Sequence, residues 1–117
     1  MLTTQQNRKR VHARGYRIRR MLPAGSIFVI DVMDCGYVLL DRITIPAEHR
    51  GQGHGTRALD ALTKSADRYG WPLGLTVSDE LGGDPARLRE LYARFGFIDT
   101  TRYGCDMWRE PRTMPTD

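Results

Sequence analysis

The residues most able to do chemistry are a run of glycines. Arg50-Gly51-Gln52-Gly53-His54-Gly55-Thr56 places three glycines at alternate positions. Glycine lets a backbone turn sharply and bring its N–H groups close to a ligand. A helical pattern follows directly, so these N–H groups sit at a helix N-terminus, where the dipole favours anions. This is the chemistry of a pyrophosphate cradle, with Arg50 and Arg57 adding charge at its rim. A nucleotide-binding P-loop needs Gly-Lys-Ser/Thr, and the turn holds no lysine. A dinucleotide fingerprint needs its third glycine at position 56, which is Thr56.

The elements that must position this turn follow from the periodicity. Three extended segments are expected first: Tyr16 to Leu22, Ser26 to Asp34 and Tyr37 to Ile45, broken at Pro23-Ala24-Gly25 and Cys35-Gly36. Leu59, Leu62, Ala66 and Tyr69 then recur at spacings of 3, 4 and 3, one face of a helix. Gly70 and Pro72 stop it, and Leu73 to Val77 reads as a short apolar strand. Asp84-Pro85 opens a second helix with Leu88, Leu91, Tyr92 and Phe95 on its buried stripe. Segments 97–101 and 105–109 form a last hairpin around Tyr103-Gly104. The order is β-β-β-α-β-α-β-β, an α/β domain with a mixed central sheet. The βαβ crossover makes strands 37–45 and 73–77 parallel neighbours or near neighbours. Residues 16–110 form the domain, between a basic arm at 1–15 and a loose tail at 111–117.

On the third strand, Asp41 shares the odd-numbered face with Leu39, Ile43 and Ile45. Desolvation on that apolar face would raise its pKa and make it a base near neutral pH. A two-residue loop at Cys35-Gly36 would set Asp31 opposite Leu40 and diagonal to Arg42, predicting an Asp31–Arg42 ion pair. Glu48, His49 and His54 flank the turn and read as solvated. Trp71, Met107 and Trp108 read as packing.

Composition narrows the class. The chain has 117 residues, 40% hydrophobic and 27% charged, ordinary proportions for one globular domain. No apolar run approaches the ~20 residues of a transmembrane helix, and the N-terminus lacks the apolar stretch of a secretory signal. Cys35 and Cys105 give neither a disulfide framework nor a zinc site. A cytoplasmic protein with reduced thiols and no metal is expected. Residues 1–20 hold seven basic residues and no acid, whereas the other 97 hold 11 basic and 14 acidic. Such an arm suits an acidic surface, and leaves nucleic acid open as a partner without favouring it.

The stretches ITIPAEHRGQGHGTRALDAL and RLRELYARFGF resemble the GNAT superfamily of N-acetyltransferases. Arg50, Gly53 and Gly55 match its Arg/Gln-x-x-Gly-x-Gly/Ala signature. Leu91, Tyr92, Gly96 and Phe97 match its second, Leu-Tyr-x-x-x-Gly-Phe. The match spans roughly residues 37–109. It implies that acetyl-CoA is the acyl donor, its pyrophosphate held by the N–H groups of Gly51, Gln52, Gly53, His54 and Gly55, with Arg50 and Thr56 beside it. It implies that the backbone of Ile43 and Ile45 runs along the pantetheine, that Tyr92 sits by the thioester sulfur, and that Asp79 and Glu80 border the acceptor.

The chain departs from the family pattern at Pro85 and Leu88, where an asparagine and an alanine are usual. It also lacks room for the two helices that usually separate the first two strands. The expectation is an N-acetyltransferase moving acetyl directly to a primary amine, with Tyr92 and Asp41 catalytic. An uncovered acceptor side points to a protein lysine or N-terminus. Two alternatives stand beside it: a binding module without turnover, and an acetyltransferase of small amines. Homodimerisation is left open.

Overall fold

The computed structural model describes residues 3–77 and 85–112. The elements run α1 (Thr4–Arg19), β1 (Ile27–Val32), β2 (Val38–Thr44), α2 (His54–Tyr69), β3 (Leu73–Leu75), α3 (Pro85–Arg94), β4 (Ile98–Asp99) and β5 (Met107–Arg109). The strands form one mixed sheet in the order β1-β2-β3-β5-β4. β2 and β3 are parallel and every other pair is antiparallel. The α2 crossover thus joins parallel neighbours, as the periodicity predicts, and the last hairpin forms with shorter strands than expected.

The N-terminus departs from expectation. Residues 4–19 form a helix, so the first expected strand, 16–22, does not exist, and the order is α-β-β-α-β-α-β-β. Thr3 starts this helix with a reciprocal cap. Its hydroxyl accepts from the Gln6 N–H at 3.1 Å, and the Gln6 side chain accepts from the Thr3 N–H at 2.9 Å. Val11, Gly15 and Ile18, spaced 4 and 3, are the residues α1 buries. A Cβ at position 15 would lie 2.8 Å from Ile30 Cγ1, so glycine is what lets the helix lie directly on β1. The basic segment is therefore docked on the sheet rather than a separate arm.

One face of the sheet carries the core. Phe28, Ile30, Val32, Val38, Leu40, Leu73, Leu75 and Met107 join Val11 and Ile18 of α1, Leu59 and Leu62 of α2 and Tyr92 of α3 in one buried cluster. The other face is thinly covered. Tyr37, Cys105 and Trp108 form a small second cluster there, with Tyr103 stacked on Tyr37 at 5.3 Å. Ile27 and Val29 remain 38% and 41% exposed.

A buried ion pair ties α2 to the far side of the sheet. Arg109, 3% exposed, donates to both carboxylate oxygens of Asp67 at 2.8 and 2.9 Å, and its Nε donates to the Phe95 carbonyl at 2.6 Å. The Arg112 N–H also donates to Asp67. Burial alone would raise the Asp67 pKa, but these hydrogen bonds and the arginine charges outweigh it and hold the carboxyl below its usual value. No helix among the described residues is long and apolar enough to cross a membrane.

Candidate functional site

The site begins where the sheet splits. β2 and β3 pair only through Val38–Leu40 and Leu73–Leu75. Two features end the pairing. On β2, Leu40 faces Ile30 and Arg42 faces Val29, which leaves Asp41 as an extra residue in a β-bulge. On β3, the Leu75 carbonyl accepts from the Asp106 N–H at 2.9 Å, and the Val77 N–H donates to the Asp106 carboxylate at 2.8 Å. These bonds commit the end of β3 to the β5 side. Beyond Leu40, β2 runs on to Thr44 with no strand on its β3 side among the described residues. The fork encloses a cavity of about 640 Å³, reached by Leu40, Asp41, Thr44, Thr76 and Tyr92, with Ile27 and Val29 on its outer side.

The bulge corrects the reading of Asp41. Alternation fails there, because Asp41 and Arg42 are both exposed while Ile43 returns to the core. Asp41 therefore lines the fork cavity from an exposed position rather than from an apolar face. The hairpin register also differs from expectation. The loop spans residues 33–37, Asp31 faces Leu39, and its carboxylate meets His12 Nε2 at 2.9 Å rather than Arg42. Hydrogen bonding to His12, against some burial, holds the Asp31 carboxyl below its usual pKa.

Tyr92 is 5% exposed and packs edge-on against Phe97. Its hydroxyl has no hydrogen-bond partner among the described residues. Burial raises its pKa, so the group stays a neutral O–H donor. A slot of about 150 Å³ shares Ile43 and Tyr92 with the fork, and Arg50 and Gly55 with the glycine turn, so it joins the two.

At the turn, Gly51 and Gly53 have φ of 77° and 82°, values other residues rarely adopt. Gly53 caps α2 with no side chain to satisfy the helix N-terminus. The first α2 N–H to find a carbonyl is that of Arg57, bonded to Gly53 at 3.0 Å. Among the described residues, none of the N–H groups from Gly51 through Thr56 donates to a protein acceptor. Arg50 folds back, its Nε donating to the Ile45 carbonyl at 2.9 Å. That carbonyl is thus already engaged at a position expected to serve a ligand.

His54 is occupied on both sides. Its Nδ1 lies 2.6 Å from Arg57 and its Nε2 lies 3.3 Å from Gln52 Oε1. An arginine only donates, so Nδ1 accepts and the ring is neutral with its proton on Nε2. Desolvation, then the charges of Arg57 and His49, lower its pKa and keep it so.

The structure therefore brings Ile43, Ile45, Arg50, Gly55 and Tyr92 around one slot, with the rest of the glycine turn next to it in the chain and Asp41 on the rim of the adjoining fork. Asp79 and Glu80 lie outside the described residues. No group of metal-binding side chains occurs among the described residues. Sequence reasoning missed Thr44 and Thr76 in the fork, and the role of Asp106 in opening it. The helical spacing of His54 and Arg57 is the one signal that would have paired those two in advance. No protein-family model matches the chain, and no curated protein matches it significantly.

Proposed function

We propose that this chain is an acetyl-CoA-dependent N-acetyltransferase that passes the acetyl group directly to a primary amine. One observation carries the reading: unbonded N–H groups at the head of α2 open through an apolar slot onto a buried tyrosine hydroxyl in a split sheet. The strand order and the α2 crossover suit the resemblance to the GNAT superfamily carried by Arg50, Gly53, Gly55, Tyr92 and Gly96.

In this reading the N–H groups of Gly51 to Thr56 hold the pyrophosphate, and the pantetheine lies in the slot against Ile43. The thioester then reaches the fork at Tyr92. The neutral amine attacks the carbonyl carbon, and backbone N–H groups of β2 beyond Leu40 are placed to stabilise the oxyanion. The C–S bond breaks, and the thiolate takes the Tyr92 hydroxyl proton, which solvent restores. Water accepts the amine proton, while the Asp41 carboxylate draws a cationic acceptor to the rim.

The thinly covered sheet face beside Ile27 and Val29 favours an acceptor amine carried on a protein, a lysine or an N-terminus. The fork cavity, at about 640 Å³, also falls in the range of small-ligand sites, which supports a small amine as the second reading. The test pairs thermal denaturation in millimolar acetyl-CoA with labelled acetyl transfer to whole-cell protein, peptides and small amines. A raised melting temperature and a labelled acceptor are expected. No shift and no labelled product would end the proposal.

A further inference from the structure

The glycine turn leaves unexplained the most highly charged part of the molecule. Arg14 and Arg17 of α1 line one groove with Lys64 and Arg68 of α2, about 240 Å³ in volume. Arg10, Arg14 and Arg68 converge on Tyr69, their guanidinium carbons 4.5, 5.6 and 5.4 Å from its ring centre. Arg14 also donates to the Tyr69 hydroxyl at 2.9 Å. Among the described residues, Arg10, Arg14, Arg17 and Arg68 form no ion pair with a carboxylate. Only Lys64 does, with Asp60 at 2.9 Å. Like charges gathered without counter-ions repel one another, and an anion laid along them removes that repulsion.

The solvent-facing side of α1, turned about 100° from Arg17, carries further charge beside this groove. Lys9, Tyr16 and Arg20, spaced 7 and 4, share a helical face, and Tyr16 is 60% exposed. An aromatic ring set among unpaired cations is the arrangement that binds a charged backbone and stacks a base. Acidic protein segments would use the charges and leave the ring unused.

We infer that the α1–α2 surface is a docking site for nucleic acid, gripping the phosphate backbone without regard to sequence and stacking a base on Tyr16. The guanidinium forks suit phosphate oxygens. The seam follows α2 from Ala61 to Arg68, about 12 Å, room for a short stretch of single strand. This site is separate from the slot at the other end of α2 and does not depend on the acetyltransferase reading.

The probe is a fluorescein-labelled, mixed-sequence single-stranded DNA of 20 nucleotides, followed by anisotropy with the full chain. With about four phosphates neutralised, affinity should fall about 50-fold between 50 and 200 mM salt. Replacing Arg14, Arg17, Lys64 and Arg68 by glutamine should remove most of that slope, while circular dichroism shows the fold retained. Tyr16→Ala changes no charge and an exposed ring, and should weaken the oligonucleotide by about fivefold or more. It should leave polyglutamate of matched charge unaffected. Polyglutamate binding as tightly as DNA, with Tyr16→Ala neutral for both, would assign the surface to an acidic protein instead. Absence of DNA binding at 50 mM salt, or a folded glutamine variant that binds like the wild type, would overturn the site.

Discussion

The two ends of α2 carry positive potential by opposite means. At His54 the potential comes from backbone N–H groups held open by a side-chain-free cap. At Tyr69 it comes from arginines on two helices brought together by packing. The first depends on local backbone geometry and is fixed in direction, which suits one compact anion. The second is adaptable, depends on tertiary contact, and weakens with salt. In the proposed readings, one helix therefore presents a shaped anion site at its head and a diffuse one at its foot.

The largest expected effect tests what anchors the foot. Asp67→Ala leaves Arg109, 3% exposed, with the Phe95 carbonyl but no carboxylate, and should cost about 3–5 kcal/mol. Urea denaturation measures this, and a loss below about 1 kcal/mol would show that the pair does not hold α2 in place. Because the Asp67 pKa is depressed on folding, its contribution is complete above the ordinary carboxyl value near 4. It vanishes as pH falls through the folded value. The stability gap between wild type and Asp67→Asn should therefore be wide at pH 6 and narrow as the pH falls below the ordinary carboxyl value.

Next comes the head of the helix. Gly53→Val forces a branched residue into φ 82° and should erase the acetyl-CoA stabilisation, about 2.7 kcal/mol at 100 times Kd. Single-stranded DNA binding should survive it, and joint loss of both would dissolve the distinction between the two ends. Tyr92→Phe keeps the ring and deletes the proton donor. The acetyl-transfer rate should fall about 10²-fold with acetyl-CoA affinity little changed. A rate equal to wild type would return Tyr92 to the core. The smallest effect is at the α1 contact. Gly15→Ala gains about 1 kcal/mol of helix propensity but crowds Ile30 at 2.8 Å. A net loss of about 1 kcal/mol is expected, since overpacking costs about 1–3. Increased stability would mean that α1 sits more loosely than described.

This contrast also explains what could be read from the chain. The glycine turn was legible because only glycine suits its backbone, so the requirement is written locally. The α2 stripe and the crossover were legible because their period is strong. α1 was not, because it buries only Val11, Gly15 and Ile18 in 16 residues, and its charges read as solvation. The Thr3–Gln6 cap was the local mark available. Asp41 misled because a bulge shifts the alternation of β2 with no residue to announce it. Asp31 misled because the hairpin loop is longer than two residues. The slot was legible in its members; the fork that completes it depends on Asp106, distant in sequence from both strands it affects.

The bulge at Asp41 makes chain length a functional variable. Strand pairing counts residues, and β2 carries one more than β1 can match. Removing Asp41 would bring Arg42 into the place opposite Val29 without an interruption, and β2 would straighten toward β3. Of the two features that divide the sheet, only the bonds of Asp106 to the end of β3 would then remain. An ordinary surface loop absorbs the loss of a residue; here a single deletion, with no side chain of the slot altered, would narrow the seam and leave Asp106 alone to hold it open.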